Sequence, residues 1–75
     1  MNNTRRAMIK KAQKYVDEAC SLIDIAYEQE DEALNNMPES LENSSRVIAM
    51  EEYVENLENA KDLLEEAKEA VDSIL

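Results

Sequence analysis

Residues 9–37, IKKAQKYVDEACSLIDIAYEQEDEALNNM, repeat a heptad in which one of the two core positions is always alanine. Position a reads Ile9, Val16, Ile23, Glu30, Met37, and position d reads Ala12, Ala19, Ala26, Ala33. Residues 50–74, MEEYVENLENAKDLLEEAKEAVDSI, carry a complementary repeat. There a reads Met50, Leu57, Leu64, Val71, and d reads Tyr53, Ala60, Ala67, Ile74. Folding the chain back at Pro38, its only proline, pairs residues whose numbers total 83. Ile9 then meets Ile74, Ala12 meets Val71, Val16 meets Ala67, Ala19 meets Leu64, Ile23 meets Ala60, Ala26 meets Leu57, Glu30 meets Tyr53 and Ala33 meets Met50. Six of these eight layers set one large side chain against one alanine. That alternation specifies an all-α fold: an antiparallel two-helix hairpin with an alanine-rich, close-packed seam.

Working outward, the b, c and f positions of the first repeat are polar with the single exception of Ile25, as an amphipathic helix requires. The first helix is expected from about residue 4, with Thr4 as its N-cap, to about residue 36. Pro38 disfavours helical dihedrals at Met37, so residues 37–45 form the connector. Leu41 is expected to plug the turn end of the hairpin, and Ser44 or Ser45 to cap a second helix over about residues 46–74. The single domain spans residues 1–75.

A hairpin needs only its a and d seam, but both flanks are also apolar. Flank g carries Met8, Tyr15 and Leu22 on the first helix and Ala49, Leu63 and Ala70 on the second. Flank e carries Cys20, Tyr27 and Leu34, answered by Val47, Val54 and Leu75. Each aliphatic side chain left in water forgoes roughly 1.5–3 kcal/mol of burial. Self-association is the expected resolution, with a twofold dimer making a homo-oligomeric coiled coil like a four-helix bundle. Tyr15, Leu22 and Leu63, or alternatively Tyr27 and Val54, are the candidate interface.

Charge is unevenly spread over the 75 residues. Residues 1–14 hold Arg5, Arg6, Lys10, Lys11 and Lys14 and no acid, whereas the rest holds all 18 acids and three bases, giving a net −10. Such a balance disfavours nucleic-acid phosphate and anionic lipid as primary partners and suits a basic protein surface. Glu51, Glu55, Glu58, Asp62, Glu65 and Glu69 form an acidic band along the second helix. Such a run is commonly a solvated face, and it is also the candidate partner-binding face. The basic end of the first helix and the acidic end of the second both oppose their helix dipoles, and an antiparallel hairpin brings them together to offset each other.

Catalytic chemistry has little to work with. There is no histidine and no glycine, which removes the commonest general base, the usual zinc ligand set and any glycine-rich phosphate loop. The lone Cys20 and the serines have no triad partner. The chain is therefore read as a non-enzyme with no catalytic residue, cofactor or metal. One cysteine allows no intrachain disulfide, and no signal peptide or spanning segment is evident, so a reducing, cytoplasmic setting without membrane contact is expected. Glu30 breaks the apolar seam. With Tyr53 opposite, it is expected to form a buried polar layer that fixes register, or else the floor of a small-ligand pocket.

The connector Asn36-Met37-Pro38-Glu39-Ser40-Leu41, with Ser44, Met50-Glu51 and the Leu57/Ala60/Leu64/Ala67 repeat, resembles a group of small uncharacterised acidic helical proteins. These belong to bacteriophages and prophages of Gram-positive bacteria. The group usually has Glu-Arg-Gly after the connector serine, where this chain reads Ser45-Arg46-Val47. The resemblance implies a mobile-element origin and a helical fold, and brings no activity with it. Three roles remain open: an interaction protein that engages and inhibits a basic host protein, a bundle that binds a small ligand such as a signalling nucleotide, and a structural or assembly factor. Arginines spent on Glu69 and Asp72 within the hairpin would favour the first, and an exposed basic N-terminus converging at an oligomer pocket, with Arg5, Arg6 or Lys10 meeting an anionic ligand, would favour the second.

Overall fold

The computed structural model describes all residues, Met1–Leu75, as two long helices folded against each other. Helix α1 spans Asn3–Asn35 and helix α2 spans Ser45–Ile74, joined by a connector with one 3₁₀ turn at Glu39–Leu41. There is no strand, and the molecule is a rod of 60 × 14 × 14 Å.

Each helix end is closed by a nearby polar group. Asn2, not Thr4, caps α1: its side-chain oxygen accepts the Arg5 N–H at 2.8 Å. Asn2, Asn3 and Thr4 are all competent caps, and the helix extends to the first of them. At the other end Asn36 and Met37 donate their N–H groups back to the Glu32 and Leu34 carbonyls at 3.1 Å. Pro38 is extended, with ψ at 144°. From there Leu41 N–H bonds the Pro38 carbonyl and Glu42 N–H the Glu39 carbonyl, at 2.9 and 3.0 Å. Ser44 then caps α2, accepting the Val47 N–H at 3.2 Å. No residue in the turn has positive φ, so the connection forms without glycine.

The register is visible in the polar contacts between helices. Gln13 donates to Asp72 at 2.7 Å, and Lys68 donates to Asp17 at 3.1 Å. Lys61 lies 3.8 Å from Asp24. Each pair sits one residue beyond a seam layer on both helices: Ala12–Val71, Val16–Ala67 and Ile23–Ala60. The alternating large–alanine layers therefore lie where the heptads put them.

The seam is not symmetric about those layers. On α2 the covered positions are mostly a and e (Met50, Val54, Leu57, Lys61, Leu64, Lys68, Val71), together with Ala49 and Ala60, while Tyr53, Ala67 and Ile74 at d are exposed. On α1, Ala12 and Ala33 are likewise exposed, whereas Cys20, Tyr27 and Leu34 on flank e are covered. The hairpin has rolled toward flank e because only that flank carries lysines whose stems can cover apolar surface while their amines reach acids. Burial is consequently shallow. Val47 alone is fully buried, 4% exposed, at the turn end beside Leu34, Met37 and Pro38. Val47, and not Leu41, is the plug; Leu41 is 41% exposed.

Candidate interaction surfaces

Flank e is closed. Lys61 lies over the Tyr27 ring, 5.5 Å from its centroid, while reaching Asp24. Lys68 bridges Asp17 and Asp72, the second at 3.4 Å. Hydrogen bonding to Asp17, and the charges of both acids, raise the Lys68 pKa above its ordinary value. The Asp72 carboxyl is held below its ordinary value, first by the hydrogen bond from Gln13 and then by the Lys68 charge. Tyr27 and Val54 are half-covered inside this arrangement. Tyr27 and Val54, the alternative interface residues, thus lie on a flank where the lysines find acids on α1 of the same chain.

Flank g is open. Met8 and Tyr15 are exposed, Leu22 is 67% exposed and Leu63 65% exposed. The register set by Gln13–Asp72, Asp17–Lys68 and Asp24–Lys61 puts Tyr15 level with Ala70 and Leu22 level with Leu63, so these side chains share one side of the rod. The uncovered seam alanines Ala12 and Ala67 lie between them. The face ends toward the turn, where the next g residues are Gln29 and Asn56. Heptad spacing alone could not distinguish the two flanks; the acids Asp17 and Asp24, one residue out from the seam opposite Lys68 and Lys61, were the signal that does.

The buried Glu30–Tyr53 layer does not form. Tyr53 is 57% exposed, Glu30 is half-covered, and no hydrogen bond joins them. The roll that covers flank e lifts d positions of α2 into solvent, so the carboxylate keeps its water and needs no partner. No polar or charged residue of the chain is buried.

The acidic band is fully presented. Glu51, Glu55, Glu58, Asp62, Glu65 and Glu69 are all exposed, and none makes an ion pair or side-chain hydrogen bond. Their spacing alternates four and three residues, which stacks the carboxylates along one stripe of α2 over ~27 Å. The paired acids, Asp17, Asp24 and Asp72, lie elsewhere, on the lysine flank. The basic N-terminal residues are also free: Arg5, Arg6, Lys10, Lys11 and Lys14 form no ion pair. The expected mutual offset of the two helix ends reduces to the Gln13–Asp72 hydrogen bond.

No group of His, Cys, Asp and Glu side chains converges in a metal-holding arrangement, and neither helix is long and apolar enough to cross a membrane. Cys20 is free and half-covered on flank e. Compared with protein-family models, curated proteins and solved structures, the chain gives no match. The fold defines it as an all-helical antiparallel hairpin with one apolar face and one acidic face.

Proposed function

We propose that the chain is a non-enzymatic interaction protein that self-associates through its open g face and engages a basic protein surface with the acidic band of α2. The observation that carries this reading is the unpaired stripe of six carboxylates. Along a helix, like charges three or four residues apart each cost about 0.2–0.5 kcal/mol. The stripe contains five such neighbouring pairs, from Glu51–Glu55 to Glu65–Glu69. Folding is opposed by this face, and a basic partner would relieve the repulsion. The resemblance of the connector to phage and prophage proteins supports a host protein as that partner, its basic groove occupied and inhibited by the acidic rod.

The test replaces Glu55, Asp62 and Glu69 with glutamine, which interrupts every neighbouring pair in the stripe. Capture from host lysate identifies the partner, and association is then measured against salt. The triple variant should fold, associate more slowly and show a flatter salt dependence, because surface charge acts mainly on the on-rate. Unchanged binding with unchanged salt sensitivity would make the band a solvated face.

A second reading draws on the free Arg5, Arg6 and Lys10: a bundle that binds a small anionic ligand such as a signalling nucleotide. Thermal shift with nucleotides tests it. Stabilisation that disappears in Arg5→Glu/Arg6→Glu would support it, and absence of any shift would set it aside.

A further inference from the structure

The open g face fits a second copy of the same chain in one orientation. Seen along the rod, charge is polarised. Residues 27–56, on the turn side of the Ala26–Leu57 layer, carry nine acids against Arg46 alone, net −8. Residues 1–26 and 57–75 carry nine acids and seven bases, net −2. Two rods aligned in parallel would superpose their strongly acidic halves over their whole length. Two antiparallel rods would hold those halves at opposite poles and join the nearly neutral ones.

The apolar face lies on that nearly neutral half and is centred there. On α1 it runs from Met8 to Leu22 about Tyr15, and on α2 the level neighbours of Tyr15 and Leu22 are Ala70 and Leu63. We propose that the chain forms an antiparallel twofold dimer through this face, with the axis crossing at the level of Tyr15 and Ala70. This rests on the self-association proposed above and adds its orientation.

An axis perpendicular to the rod lays α1 on the partner's α1 and α2 on the partner's α2, each pair antiparallel. Met8 then meets the partner's Leu22, with Leu63 level beside that contact, and Tyr15 and Ala70 each meet their own copies, as an isologous interface requires. The rim agrees in charge. Lys11 and Glu18, both exposed and unpaired, stand at the c positions flanking Tyr15, so Lys11 of each chain faces the partner's Glu18. The pairing occurs twice per dimer by symmetry. It also gives Lys11, which has no acid within its own chain, a partner. The acidic bands of the two α2 helices continue past the interface toward opposite poles.

Spin labels at Asn43→Cys in a Cys20→Ser background test the orientation without touching the interface. α1 ends 20 residues beyond Tyr15, so antiparallel copies put the two labels about 60 Å or more apart at ~1.5 Å per residue. Parallel copies put them within about 20 Å, the width of two helix pairs. A dimer with the long separation is expected. A dimer with the short one overturns the orientation while leaving self-association standing, and a monomer overturns both. Charge reversal supplies the second readout. Lys11→Glu should raise the dimer dissociation constant about 2- to 30-fold, two exposed pairs being lost, and Lys11→Glu/Glu18→Lys should restore it. Failure of the double reversal to restore the dimer would overturn the Lys11–Glu18 register.

Discussion

Val47 is the one side chain this hairpin removes from water, and it sits where the connector crosses the helix pair. It lines the same turn-end cleft as Leu34, Met37 and Pro38. Val47→Ala should therefore cost roughly 1.5–3 kcal/mol, more than the equivalent change at exposed Ile48, in chemical denaturation. The Gln13–Asp72 contact makes a different prediction. Because that hydrogen bond is the largest cause of the depressed Asp72 pKa, Gln13→Ala should move the Asp72 titration upward in carboxyl-resolved NMR. The sign for stability follows from linkage. A carboxyl depressed in the folded state stabilises above its unfolded value, and that contribution is lost as pH falls through the folded one. The variant should thus lose the Asp72 contribution at a higher pH than the parent. An unmoved Asp72 titration would mean that Gln13 does not bond it in solution.

Between residues and helices, much could be read in advance from spacing. The heptads placed two helices and their register correctly because a 3.5-residue period leaves one pairing in which large side chains meet alanines. Asp24–Lys61 and Asp17–Lys68 fall where that pairing puts them. Ser44 as the cap of α2 was also accessible, as one of two adjacent serines. Ser44→Ala should cost about 1 kcal/mol by loss of the bond to Val47 N–H, and Ser45→Ala close to nothing. What spacing could not supply was the roll about the seam. An a/d pattern treats flanks e and g alike, and the choice depends on where lysine stems and acids from the other helix come together. Thr4 was misplaced as a cap because three consecutive residues qualify. The Glu30–Tyr53 layer was misjudged because it presumed a seam centred on d. The acidic band needed no three-dimensional information beyond helicity: outward positions on one helix stay outward however the hairpin rolls. Its cost to the fold gives a further prediction. The Glu55→Gln/Asp62→Gln/Glu69→Gln variant should be more stable than the parent by about 1–2.5 kcal/mol, as five repulsive neighbours are relieved. Thermal denaturation measures this, and equal or lower stability would show that the stripe carries little repulsion. A chain that becomes more stable and binds less is the signature of a surface kept for a partner.

Taken together, the rod has little interior. One buried residue among 75, with eleven large hydrophobic side chains exposed, sets a small apolar term against the conformational entropy of helices of 33 and 30 residues. The exposed apolar side chains do not scatter evenly: Met8, Tyr15, Leu22 and Leu63 share one face, on the less charged half of the molecule. In the proposed dimer a second hairpin on that face would convert a two-helix seam into a four-helix core, covering the alanines Ala12 and Ala67 as its floor. The acidic stripe on α2 then remains on the outside, available to a basic partner. Sedimentation equilibrium of the parent and of Leu22→Glu at tens of micromolar tests this account at its centre. The parent should sediment as twice the 8.6 kDa chain, and Leu22→Glu should shift toward the single chain with loss of helicity. A parent that sediments at 8.6 kDa and still unfolds cooperatively would contradict it.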